Sequence, residues 1–205
     1  MCGRYLLEDE AYADILQILH NLKNASSTDS TVNANVTADV EFSHGEIFPT
    51  NIAPVSTSDG IVAVKWGFPH WKNTSVIINA RAETAAEKKM FSKPLRERRC
   101  IVPSSGFFEW EHTGSKKKKK YQLNRPDSKT LYMAGIVSTF RDALGEQYNA
   151  FVILTTAANE YVAPLHDRMP VILAADEREQ WLKDESFVTF ALHRPGPELI
   201  TELVG

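Results

Sequence analysis

The richest chemistry in this 205-residue chain sits at its second position. Met1-Cys2-Gly3-Arg4 places a small residue after the initiator, the condition under which methionine aminopeptidase removes Met1. Cys2 would then hold a free α-amine and a thiol two carbons apart, a pair no internal cysteine has. An α-amine titrates near ~8, so a good fraction is unprotonated at neutral pH. Such an amine attacks an aldehyde to form a Schiff base, and the thiol then closes on the same carbon. The product is a five-membered thiazolidine, in which sulfur traps an otherwise reversible imine. That is a reason for Cys at this position and not Ser or Lys.

Four further segments carry groups that would serve such a nucleophile. Asn79-Ala80-Arg81-Ala82-Glu83 lies where the strand-like run VIINA hands over to a helix, a place from which side chains project into a pocket. Phe107-Phe108-Glu109-Trp110 sets Glu109 among aromatics, whose packing desolvates a carboxylate and raises its pKa. Leu165-His166-Asp167-Arg168-Met169-Pro170 puts a histidine beside an acid and a base ahead of an apolar strand. Asn51-Ile52-Ala53-Pro54 ends a long polar stretch. Taken singly, each has an ordinary alternative. Cys2 is then merely small, Glu109 a surface acid and His166 a loop histidine. Asn79 becomes a strand-end residue, and Arg81 and Arg168 become salt-bridge partners.

The elements that must position these groups follow from periodicity. Tyr12, Ile15, Leu16, Leu19 and Leu22 recur at helical spacing, predicting an amphipathic helix over 9–23. The Ser-, Thr- and Asn-rich stretch 24–46 reads as a polar surface loop. Runs rich in Val, Ile, Phe and Tyr at 61–66, 75–79, 100–103, 106–111, 119–124, 131–139, 148–155 and 170–174 predict strands. Helical patches fit at 82–91 and 176–183, the second capped by Asp176. The fold class expected is α+β: one β-rich domain over 1–205, with a mostly antiparallel, barrel-like core and a few flanking helices. Lys116 to Lys120 read as a solvated hairpin edge.

Composition bounds the function. Hydrophobic content is 43%, charged content 24% and the net charge −3, so any nucleic-acid contact must come from a local basic cluster. Two cysteines are too few for a disulfide framework, and the first twenty residues carry acids where a signal peptide needs an apolar run. The expected localisation is cytoplasmic, nucleoid-associated if the source is bacterial and nuclear if eukaryotic. No membrane contact, no metal and no cofactor are expected. His44-Gly45-Glu46 imitates half of a zinc-deaminase signature, but no Pro-Cys-x-x-Cys follows.

The stretches MCGRY, TNIAP, WGFPHW, NARAET, RRCIVPSSGFFEW and LHDRMPVIL, in that order over residues 1–174, resemble the SRAP (SOS response-associated peptidase) family. The resemblance implies a β-rich α+β domain with a positively charged channel. It implies that Cys2 forms a thiazolidine crosslink with an abasic site in single-stranded DNA, with Asn79, Glu109 and His166 as catalytic partners. Arg4 and Arg81, joined by Arg168, would hold phosphates. Trp66 and Trp71 would offer stacking faces, and Asn51 and Pro54 of TNIAP would sit at the DNA. The expected partner is single-stranded DNA containing abasic sites, bound by a monomer. Two rivals remain at this point: an N-terminal-nucleophile cysteine (auto)peptidase, and a non-catalytic reader of modified bases.

Overall fold

β-Branched and aromatic side chains fit a half-buried pleated surface, and the Val-, Ile- and Phe-rich runs fold as strands accordingly. The computed structural model describes residues 2–8, 11, 43–70, 72–111 and 118–205. The helix expected over 9–23, most of the loop expected over 24–46, and Trp71 lie outside them. Five strands form a closed ring: β3 (Ile52–Thr57), β4 (Gly60–Trp66), β8 (Arg99–Ser104), β11 (Leu131–Arg141) and β12 (Gln147–Ala157). Direction cannot alternate all the way round a ring of five, so one neighbouring pair must run parallel. That pair is β12 beside β4, with Phe151 opposite Trp66. The other four contacts are antiparallel.

β11 and β12 part beyond the Gly135–Ile153 pair, and residues 168–173 wedge between them. β13 (Arg168–Pro170) pairs with β12 and β14 (Ile172–Leu173) with β11. Between the two, Val171 donates to Leu154 O and Ala134 donates to Val171 O. After a short antiparallel pair, β5 (Phe68–Pro69) and β6 (Val76–Ile77), the chain enters β7 (Asn79–Arg81), which joins the other edge of β12 in parallel, with Thr155 opposite Arg81. The end of β12 thus sits between the NARAET and LHDRMP segments, which are distant in sequence.

A second, antiparallel sheet contains β1 (Tyr5–Leu7), β2 (Gly45–Ile47), β9 (Gly106–Trp110), β10 (Lys120–Asn124) and β15 (Ile200–Leu203), in the order β15-β10-β9-β1-β2. Side chains alternate across strands. One set of the ring's residues (Val55, Val64, Val102, Met133, Phe151, Ile153) packs with Tyr5, Leu7, Ile47, Phe107 and Leu123 of this second sheet. The opposite set (Ile101, Ala134, Ile136, Val152, Leu154) packs with the helices. These are α1 (Ala82–Ala85), α2 (Lys89–Glu97), α3 (Arg178–Lys183) and α4 (Glu185–His193).

The single helix expected at 82–91 is two, broken at 86–88, where Lys88 takes an extended conformation (ψ 123°). Asp176 does not cap the later helix. A 3-10 turn over Ala175–Glu177 precedes it, and the Glu177 carboxylate accepts from Ala174 N–H. Buried Arg99 donates to the C-terminal carbonyls of two helices, Leu95 and Arg96 on α2 and Trp181 and Leu182 on α3. A cation there complements the negative helix ends. Among the described residues no helix is long and apolar enough to cross a membrane.

Candidate active site

Cys2 enters the structure fully buried, just ahead of β1. Asn79 Nδ2 donates to its carbonyl oxygen at 2.9 Å. The parallel pairing of β7 with β12 therefore positions the start of the chain as well. Asn79 Oδ1 is buried with no hydrogen-bond partner among the described residues, an acceptor left over at the nucleophile. The β1–β9 register, with Tyr5 opposite Phe107, runs on to set the first residues against Glu109.

Glu109 is 3% exposed. Burial raises its carboxyl to about 7, against the lowering pull of the chain's amino-terminal charge, and the Asp167 carboxylate adds to the rise. Burial also pushes the Cys2 thiol far above its ordinary range, and Glu109 adds to that shift. The Glu109 charge is felt at Cys2 and the Asp167 charge at Glu109, and His166 adjoins Asp167. Arg168 N–H donates to His166 Nδ1 at 2.9 Å, and Asp167 Oδ1 lies 2.7 Å from the same nitrogen. These contacts alternate. The neutral ring accepts from Arg168, and the protonated ring donates to Asp167. The site thus holds a carboxyl half-ionised at neutral pH and an imidazole with a partner for each protonation state, the equipment of proton transfer. Among the described residues no group of three His, Cys, Asp or Glu is placed to hold a metal ion.

A family model for the SOS response associated peptidase (SRAP) matches residues 1–198. The chain belongs to the SRAP family. It is 33% identical over 204 residues to the abasic site processing protein YoaM of Bacillus subtilis, covering 91% of this chain and 81% of that one. It is 30% identical over 195 residues to the abasic site processing protein YedK of Escherichia coli, covering 90% and 81%. The fold matches the crystal structure of a Bacteroides thetaiotaomicron protein with a TM-score of 0.77 at 24% identity, covering 100% of this chain and 92% of that one.

The residues expected to contact DNA do not share one fate in this SRAP chain. Arg81 is exposed and forms no salt bridge among the described residues, so its charge faces solvent. Arg4 is held by Glu46 at 2.9 Å and lies over the rings of Phe48 and Trp110, at 4.3 and 4.9 Å. Glu46 also binds Lys120 at 2.8 Å. Burial alone would raise the Glu46 carboxyl, but Lys120 and Arg4 hold it below its ordinary value.

Arg168 needs a different reading. Its guanidinium binds both Glu83 oxygens, at 2.6 and 2.8 Å, and Thr155 O, so it ties β13 to the start of α1. Its two terminal nitrogens are thus engaged within the protein, while its Nε is buried without a hydrogen-bond partner among the described residues.

Trp66 offers no stacking face. It is fully buried between Tyr5 and Phe151, and its Nε1 donates to Ile78 O. Pro54 is buried in the middle of β3 opposite Ala63, and Asn51 Oδ1 closes a turn on Phe48 N–H. Trp66 and Pro54 are therefore packed inside the protein, whereas Asn51 remains half-exposed. Sequence reading missed Glu46 and Glu83. Each is an acid whose importance comes from a cation 42 or 85 residues away.

Proposed function

We propose that this SRAP chain senses abasic sites in single-stranded DNA and captures them covalently through Cys2, protecting the lesion during the DNA damage response. The observation that carries this reading is the Glu109 carboxyl, buried beside Cys2 and raised to about 7. The names of the curated relatives, abasic site processing proteins from Bacillus subtilis and Escherichia coli, support the substrate.

An abasic sugar exists partly as a ring-opened aldehyde, and a single strand delivers it without unpairing a duplex. Excision of Met1 frees the Cys2 amine. The amine nitrogen attacks the aldehyde carbon, and a proton passes from nitrogen to the ionised Glu109. Glu109 returns that proton to the alkoxide, giving the carbinolamine, and then carries the remaining amine proton from nitrogen to the hydroxyl, which leaves as water and yields the imine. The thiol then adds across the C=N bond, sulfur to carbon and its proton to nitrogen, closing the thiazolidine. The net loss is one water. His166 protonates the sugar ring oxygen during opening. Asn79 anchors the Cys2 carbonyl through Nδ2 and presents Oδ1 to an N–H or O–H of the reacting groups. Arg81 and Arg4 hold flanking phosphates through charge-assisted hydrogen bonds.

The peptidase reading requires a thiolate as first nucleophile. Burial holds the Cys2 thiol protonated, which favours attack by the amine. Intact mass of the protein mixed with an abasic single-stranded oligonucleotide tests the proposal. The expected adduct is the sum of the two masses less one water, on protein that begins at Cys2. An active protein that retains Met1, or an abundant heat-stable adduct with Cys2→Ser, overturns it.

A further inference from the structure

Residues 158–167 join β12 to β13 through a turn built on Asn159. Asn159 Oδ1 accepts from Tyr161 and Val162 N–H, its carbonyl accepts from Ala163 N–H, and its Nδ2 donates to Pro197 O at 2.7 Å. Val162 O accepts in turn from His166 N–H at 3.0 Å, and Asp167 O accepts from Ala158 N–H at 3.0 Å. The main chain of His166 and Asp167 is thus fixed before either side chain acts.

Two groups then compete for His166 Nδ1. Arg168 N–H, at 2.9 Å, can only donate, so it favours the neutral ring with its proton on Nε2. The Asp167 carboxylate, at 2.7 Å, can only accept, so it favours a proton on Nδ1. The His166 side chain is 17% exposed and that of Asp167 84%, so the ring is held within the protein while its acid stands in solvent. The Arg168 guanidinium takes no part, because it is bound to Glu83 and Thr155 O.

This competition decides what the imidazole can do. With Nδ1 engaged by its own loop, a proton for the substrate comes from Nε2. A neutral ring with its proton on Nε2 donates a hydrogen bond but is a very weak acid. A ring protonated on both nitrogens is an acid of useful strength near neutral pH. Once Nε2 has given up its proton, the one left on Nδ1 still has Asp167 as its acceptor.

We propose that Asp167 is a positioning residue for the reaction: it holds the Nδ1 proton of His166, so that the ring acts on the abasic sugar as an imidazolium. This rests on the function proposed above and extends it to the group that sets the protonation state of the acid. In the step, the ring C–O bond of the sugar breaks and its oxygen takes the Nε2 proton. The anomeric hydroxyl gives its proton to water as the C=O bond forms, and solvent then reprotonates Nε2. A second consequence sets Asp167 apart from a structural residue. Its charge also raises the Glu109 carboxyl, so its removal leaves more Glu109 ionised near neutral pH. Loss of Asp167 therefore weakens the acid for ring opening while increasing the base for imine formation.

The test compares whole wild-type protein with Asp167→Asn, which keeps the side chain's size and the main-chain hydrogen bond to Ala158. Single-turnover crosslinking is timed near neutral pH at saturating protein, on a strand with an abasic sugar and on one with an acyclic alkyl aldehyde at the same position. Asp167→Asn is expected to slow reaction with the abasic sugar about three-fold, as for loss of one exposed ion pair. The acyclic aldehyde should react no more slowly than with wild type. Asp167→Glu should restore most of the rate on the sugar. Equal slowing of both substrates, no slowing of either, or an Asp167→Glu variant as slow as Asp167→Asn overturns the assignment. The two proposals fail separately. If wild-type protein forms no adduct with either strand, the proposed function falls; if it forms both and Asp167→Asn leaves their rate ratio unchanged, only the role of Asp167 falls.

Discussion

Glu109 shares its strand with buried Phe107 and Phe108, and loss of water at that position holds its carboxyl near 7. A general base acts only when ionised, so crosslinking should accelerate as pH rises through about 7. Glu109→Gln should remove that inflection in a quenched time course and slow the reaction, roughly 10²–10⁴-fold at most. Stability should respond in the opposite direction. The folded carboxyl lies above its unfolded value of 4.5, so the folded chain binds more protons between about 4.5 and 7 and loses stability across that window. Glu109→Gln removes the penalty. Its Tm relative to wild type should therefore be higher at pH 8 than at pH 5, by the equivalent of up to about 3 kcal/mol. Equal differences at both pH values would show that the residue does not titrate as described. Glu46 offers a second test at this scale. It neutralises both Arg4 and Lys120, so Glu46→Gln should tighten single-strand binding and steepen its salt dependence; weaker binding would mean that Glu46 positions Arg4 for the phosphate.

At the scale of elements, two arginines on the strands that flank β12 do different work. Arg81 ends β7 with its charge in solvent, whereas Arg168 opens β13 and is tied to Glu83 and Thr155 O. Arg81→Ala should lower the salt slope of single-strand binding by about 0.7 and leave Tm nearly unchanged. Arg168→Ala strands the Thr155 carbonyl and loosens β13 from α1, so it should cost about 1–3 kcal/mol of stability in chemical denaturation. Its salt slope should stay close to wild type. A reduced slope with unchanged stability for Arg168→Ala would return that residue to the DNA contacts.

The closed ring sets a constraint on the whole molecule that no single element carries. Gly135 lies where β11 passes both β8 and β12, and a Cβ there would stand 2.9 Å from Cys100 Sγ and 3.0 Å from Val152 O. The carbonyl belongs to a ring strand and cannot move alone. Gly135→Ala should therefore destabilise the protein by about 1–3 kcal/mol, seen as a lower denaturation midpoint. A midpoint equal to wild type would mean that the ring yields at this seam. The same closure brings residues 2, 79, 109 and 166–168 together, so loss of the seam should reduce crosslinking as the protein unfolds and not before.

Much was legible in the sequence because it is local. The chemistry available to Cys2 depends on its position in the chain. The strand content follows from runs of β-branched and aromatic residues, and the handover at Arg81–Ala82 from one change of period. Shorter or less regular strands escaped. Pro54 disguised β3 as a loop end, because proline lacks a strand donor, and β15 is exposed at every residue and so shows no alternation. What only the tertiary structure decided is long-range. Burial of Trp66 between Tyr5 and Phe151 removed its stacking role. Glu83, 85 residues from Arg168, turned a candidate phosphate ligand into a clamp. Exposure and charge pairing belong to contacts between segments, and one strand's composition carries no record of which distant side chain will face it.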